Sequence, residues 1–159
     1  MMHLYKTCWL LILAVSLSAC GVTNLLPKGN RLDWSGLSVL AAEGANLNTP
    51  VALDIVFLRD EATFALISKL PASQWFASRK DLVKTSPGGM SYLSMEIKPG
   101  QTLKFSTKSF DSARLAGAIV FADYLTPGEH RMRIDQLEGD LLMQLDERAF
   151  SVSARPSRK

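Results

Sequence analysis

Apolar residues in this chain recur at every second position, in short runs separated by turn residues, and that rhythm limits it to a mainly β fold. A period of two belongs to strands, because successive side chains point to opposite faces. Leu37, Val39 and Ala41 alternate with Ser38 and Ala42. Val51, Leu53, Ile55 and Phe57 line one face of a second strand, whose other face carries Ala52, Val56 and Leu58 with a single charge, Asp54. A strand apolar on both faces is central in its sheet or covered by a helix. Later runs are Leu93, Met95 and Ile97, then Leu103 and Phe105. The nearly unbroken apolar stretch 115–125 reads as the most buried strand. Met132 and Ile134 follow, then Leu141, Met143 and Leu145, and finally Phe150 and Val152. Residues 44–50 and 86–89, together with Pro99-Gly100 and Pro127-Gly128, supply loop and turn signals. Glu138-Gly139-Asp140 is suited to a hairpin.

One interruption is helical. Asp60 is placed to cap a helix, with Glu61 in the first turn, where the dipole favours it. Phe64, Ile67 and Leu70 recur at intervals of three and share one buried face. Pro71 stops that helix. Residues 71–77 read as a second short helical piece anchored by Trp75 or Phe76, and 79–85 as a polar stretch around Leu82 and Val83. About eight strands with one helical insertion, near residues 60–77, predict two antiparallel sheets packed face to face over residues 34–154.

The start of the chain carries a different signal. After Lys6, the apolar run 8–17 is too short to span a bilayer, and it closes on Leu17-Ser18-Ala19-Cys20. This is the layout of a secretory signal. The tetrapeptide resembles a bacterial lipobox. That resemblance implies cleavage between Ala19 and Cys20, a diacylglycerol on the Cys20 thiol and an N-acyl chain, such as palmitate, on its freed amine. Each buried CH₂ contributes about 0.8 kcal/mol, so two or three chains hold a protein on a membrane where one does not. Gly21 in place of Asp implies, by the same resemblance, the outer membrane of a Gram-negative cell. Removing residues 1–19 from 159 leaves 140, the size of one domain. Residues 20–33, with Gly21, Asn24, Pro27, Gly29 and Asn30, read as a flexible linker, and 155–159 as a solvated basic tail.

Composition narrows the chemistry. The +3 net charge falls by one with the loss of Lys6, too little to argue for nucleic acid. Cys8 leaves with the leader and Cys20 carries lipid, so neither a disulfide nor a thiolate metal site is expected. His130 alone does not make a zinc set or a triad. The acid pairs Asp60/Glu61, Glu138/Asp140 and Asp146/Glu147 fall at expected turns or caps. Tyr92 and Tyr124, taken as exposed, are weak evidence for a sugar site. No catalytic set or metal site is assigned, and the expectation is a binding or structural role. The residues by themselves lead to a lipid-anchored β-sandwich. A carbohydrate- or peptide-binding module remains the alternative to an assembly role, with an enzyme using His130 behind both.

The order of parts resembles the outer-membrane lipoprotein family of bacterial type VI secretion systems, often called TssJ. The carriers are Val56-Phe57-Leu58-Arg59-Asp60 running into a helix with Phe64; Trp75-Phe76 and Leu82-Val83; Ile97-Lys98-Pro99-Gly100-Gln101, matching a family hairpin; and the apolar run from Ala116 to Tyr124. Leu125 departs from the family, which often has Arg there. The resemblance implies a transthyretin-like sandwich that tethers an envelope-spanning complex to outer-membrane lipid. Its expected partner is the periplasmic domain of a large inner-membrane-anchored core component, with the other membrane-complex subunit a further candidate. It also implies that the loop between the first two strands contributes to the grip. Here that loop maps to residues 44–50, with Ala45, Asn46, Leu47 and Asn48 as the expected partner-binding residues and Asn46, Leu47 and Asn48 as its exposed tip.

Overall fold

A computed structural model describes residues 29–106 and 114–155, with the side chain of Arg155 left out. The expected leader, Cys20, the linker as far as residue 28 and the tail beyond Arg155 lie outside the described residues. In chain order the elements are β1 (Asn30–Arg31), β2 (Asp33–Ala41), a single turn α1 (Ala45–Asn48), β3 (Val51–Leu58), α2 (Glu61–Ile67), α3 (Ala72–Thr85), β4 (Met90–Ile97), β5 (Thr102–Ser106), β6 (Arg114–Leu115), β7 (Gly117–Asp123), β8 (Arg131–Ile134), β9 (Glu138–Leu145) and β10 (Phe150–Arg155). Two four-stranded sheets, ordered β10-β9-β2-β5 and β4-β3-β7-β8, face each other, and β1 pairs with β6. The chain is therefore the expected sandwich.

Its core follows from the alternation. Leu37, Val39, Leu141 and Met143 of the first sheet meet Leu53, Ile55, Val120 and Ala122 of the second, all buried. The odd-numbered residues of β3 face this core. Val56 and Leu58 face the other way, into a second apolar layer with Ile119, Phe121, Phe64, Ile67 and Trp75. Strand β3 is thus both central and helix-covered, which is why neither face reads as polar.

The helices behave partly as the spacing predicts. Asp60 caps α2, its carboxylate accepting a hydrogen bond from Thr63 N at 2.8 Å. Phe64 and Ile67 are buried, and Leu70 packs alongside from beyond the helix end. The insertion is longer than expected, because α3 continues to Thr85 instead of ending near residue 77. Residues 79–85 hold no Gly or Pro, and the charges of Lys80, Asp81 and Lys84 face solvent, so nothing breaks the helix before Ser86-Pro87.

Two connections differ from the sequence reading. Pro99-Gly100 does form a turn, with Gly100 at φ +73°. It leads from β4 in one sheet to β5 in the other, so it is no hairpin. Glu138-Gly139-Asp140 opens β9 instead of turning the chain. Strand β9 enters beside the start of β2, Asp33 opposite Glu138, and runs parallel to it as far as Ala41 opposite Leu145. The sandwich is accordingly mixed at one pairing. Alternation reports which face is buried but not which sheet a strand joins. The folded region also starts before residue 34: Asn30 and Arg31 pair with Leu115 and Arg114, and Leu32 is buried.

Candidate functional site

Four connections meet at one end of the sandwich: residues 42–50, 98–101, 124–130 and 146–149. Strand register places them there, since Ala41 lies opposite Leu145, Val51 opposite Ile97 and Ala52 opposite Asp123.

The 42–50 connection is a left-handed turn. Asn46, Leu47 and Asn48 have φ of +49°, +54° and +62°. Asn visits this region readily, because its short polar side chain bonds locally; Leu does so rarely. The surroundings hold the turn in place. Asn46 N and Leu47 N donate to Asp146 O and Glu147 O at 3.2 and 3.3 Å. The Thr49 hydroxyl donates to Asn46 O at 2.6 Å.

Asn46 is not part of an exposed tip, contrary to the sequence reading. It is 1% exposed. Its Nδ2 donates to Pro50 O at 3.0 Å, and its Oδ1 accepts from Leu125 N at 2.7 Å. A buried amide with both ends engaged is a fastener, not a contact surface. Ala45 is buried as well. Of the four residues expected to grip a partner, Leu47 and Asn48 reach solvent. Leu47 is 45% exposed, and Leu125, fastened through Asn46, is 65% exposed. The loop end therefore presents two aliphatic side chains on backbone that is held still.

Tyr124 and His130 hold the neighbouring loop. Tyr124 is buried, not exposed as expected. Its hydroxyl donates to Ala149 O at 2.7 Å, with Asp146 O at 3.2 Å. Burial, with Asp146 adding to it, raises the phenol well above its ordinary range and keeps the donor protonated. Its ring stacks on His130 at 4.8 Å between centroids and on Phe150 at 6.5 Å. His130 Nε2 lies 2.7 Å from Thr126 O. A carbonyl only accepts, so Nε2 carries a proton there. His130 is thus engaged in closing its own loop.

The second polar arrangement lies under α3. Asp54, 1% exposed, accepts from Trp75 Nε1 at 2.8 Å and Arg79 Nη1 at 2.6 Å, and from the Ser94 hydroxyl. The Arg79 guanidinium sits 5.0 Å from the Phe76 ring centroid and 5.8 Å from that of Tyr92. Tyr92, read as exposed, meets Trp75 edge-on at 5.7 Å. A carboxylate this enclosed and this fully bonded holds a helix to a sheet. Among the described residues no group of three or more His, Cys, Asp or Glu side chains is arranged to hold a metal. Of the acid pairs, Asp60 caps α2, Asp146 and Glu147 serve the turn through their carbonyls, and Glu138 and Asp140 lie on β9.

The lone charge on an otherwise apolar strand face was the visible sign of Asp54. Nothing in local spacing pointed to Arg79, twenty-five residues away. Leu125 showed only as a departure from a family pattern.

This fold, a two-sheet sandwich with helices over one sheet, is shared with solved type VI secretion lipoproteins. The type VI secretion lipoprotein TssJ1 from Pseudomonas aeruginosa superposes with a TM-score of 0.58 at 15% identity, over 82% of this chain and 100% of that one. Serratia marcescens Lip, a membrane-bound component of the type VI secretion system, gives 0.52 at 14%, over 76% and 96%. A chain of a type VI membrane complex gives 0.57 at 17%, over 79% and 99%. At these identities the likeness is one of fold. No family model and no curated protein sequence matches the chain.

Proposed function

We propose that this chain is the outer-membrane lipoprotein of a type VI secretion membrane complex, and that it tethers the periplasmic domain of a large inner-membrane-anchored partner. The acyl chains expected on Cys20 supply the membrane hold. The sandwich is the rigid platform, and its loop end is the grip. No reaction is assigned to the chain, because the tether works by binding alone.

The observation that carries this reading is Leu47, held at φ +54° and left 45% exposed at the same loop end as the exposed Leu125, whose N–H bonds to Asn46, the residue preceding Leu47. A rigid apolar anchor loses little conformational freedom on docking, so more of the burial energy appears as affinity. The shared fold and the lipobox tetrapeptide support the assignment to a membrane complex.

The test is co-purification from the native cell. Chain recovered by detergent extraction of outer membranes carries the large envelope partner with it. The Cys20→Ser form, folded to the same melting temperature, is released to the soluble fraction. Recovery of a glycan or short peptide in place of the envelope protein contradicts the tether.

A further inference from the structure

Strands β10 and β5 end one sheet, and β4 and β8 end the other. An edge strand offers unpaired backbone groups to other chains, and proteins blunt such edges with charge, Pro, bulges or brevity. β8 is four residues long and carries Arg131 and Arg133; β5 carries Lys104 and β4 carries Glu96. β10 differs. Its one charge, Arg155, stands at its last position; from Phe150 to Ala154 it reads Phe-Ser-Val-Ser-Ala, with no charge and no Pro, and its register with β9 is unbroken.

The hairpin shows which of its backbone groups face outward. Asp146 N donates to Ala149 O at 2.9 Å, so these two form a hydrogen-bonded pair. Such pairs alternate along an antiparallel ladder. Ser151 with Gln144 and Ser153 with Leu142 are therefore bonded pairs, whereas Phe150, Val152 and Ala154 turn their N–H and C=O away from β9. The far side of β9 agrees, since Leu145 O accepts from Ala42 N at 2.9 Å. Among the described residues nothing bonds to these outward groups. The side chains of Phe150, Val152 and Ala154 lie against the inner core, while Ser151 and Ser153 are exposed.

We propose that the edge of β10 pairs with β10 of a second copy of this chain, antiparallel, about a two-fold axis at Val152. The two four-stranded sheets then become one continuous sheet. The strand is its own complement. Pairing through the outward groups sets Val152 opposite Val152 and Phe150 opposite Ala154, large against small on the core side. Ser151 meets Ser153 on the outer face, so no like charges oppose each other within Phe150–Ala154. Shifting the register by one residue sets these groups against backbone already bonded to β9. One short strand covers less than the roughly 800 Å² per partner of a standard interface, so the pairing is weak and depends on concentration.

Sedimentation of the full chain in detergent, under reducing conditions and from micromolar to millimolar protein, tests this. The wild type passes from monomer to dimer. Val152→Pro removes an outward donor without taking a bond from β9, and weakens association about tenfold or more. The double variant Ser151→Lys with Ser153→Lys sets lysines opposite each other across the two-fold and weakens it similarly, with an unchanged melt. If Val152→Pro does not fold, the exposed double variant decides. A chain that stays monomeric throughout, or a dimer that the lysine variant leaves intact, overturns the proposal. Neither result bears on the tether, which uses the loop end.

Discussion

Arg79 Nη1 lies 2.6 Å from Asp54 Oδ2, a contact that reaches from α3 to the middle of β3 and fixes the helical layer to the sheet. Asp54 is 1% exposed and Arg79 28%. Removing either partner leaves the other's environment incomplete, and the buried carboxylate suffers more. Arg79→Ala leaves that charge without its cation and is expected to destabilise by about 3 kcal/mol. Replacing Asp54 and Arg79 together with apolar residues is expected to be milder than Arg79→Ala alone. Urea unfolding of the single and double variants measures the difference.

Gly117 marks a second close approach. A Cβ placed there lies 2.6 Å from Phe64 Cε2, and the Phe64 ring is itself covered by Arg133 at 4.5 Å. Gly117→Ala is expected to displace the ring and to lower stability by about 1–3 kcal/mol. Phe64→Leu in the same chain is expected to recover part of that loss. Thermal melts of the wild type, Gly117→Ala and the double variant decide it, and an unshifted Gly117→Ala melt contradicts the packing argument.

Asn46 gives a prediction that separates rigidity from contact. Asn46→Ala removes the bonds to Pro50 and Leu125 and leaves a less tolerant residue in the left-handed region. The expected loss is about 2 kcal/mol. Asn46→Gly restores the backbone freedom but not the fastener. It is expected to be the more stable of the two, while Leu125 loosens in both. Hydrogen exchange at Leu125 N reads this directly.

The Asp60 cap predicts a pH dependence. Its hydrogen bonds to Thr63 hold the carboxyl below its ordinary value of 3.8. A carboxyl with a lowered folded pKa stabilises fully above its unfolded value and loses that contribution as pH falls through the folded one. Asp60→Ala is therefore expected to cost about 1 kcal/mol at neutral pH, and less once the pH drops below the folded value. Urea titrations of both forms at neutral and strongly acid pH check the sign.

The alternation at positions 51–57 and 93–97 made the sandwich legible, Asp60 marked the start of the helical insertion, and Pro71 marked the break between its two helices. Three features were not legible, for physical reasons. Gly139 was taken for a turn residue because glycine signals a positive φ, here +84°, but not which way the chain goes afterwards. Charges between 79 and 85 hid a helix whose exposed face needs no apolar period. At the candidate site, the sequence picked out residues 45–48 but not their division of labour. Asn46 and Asn48 are the same residue type two positions apart, yet Asn46 is buried by contacts with residue 125 and with the turn at 146–147, which no local pattern encodes.

The tether itself is tested most directly by titrating the purified periplasmic domain of the large inner-membrane-anchored component against this chain by calorimetry. The wild type and the double variant Leu47→Asp with Leu125→Asp are compared. Both side chains are exposed, so the variant is expected to keep its melting temperature within a few degrees while affinity falls by a hundredfold or more, about 3 kcal/mol. Equal affinity for the two forms contradicts the assignment of the loop end as the grip.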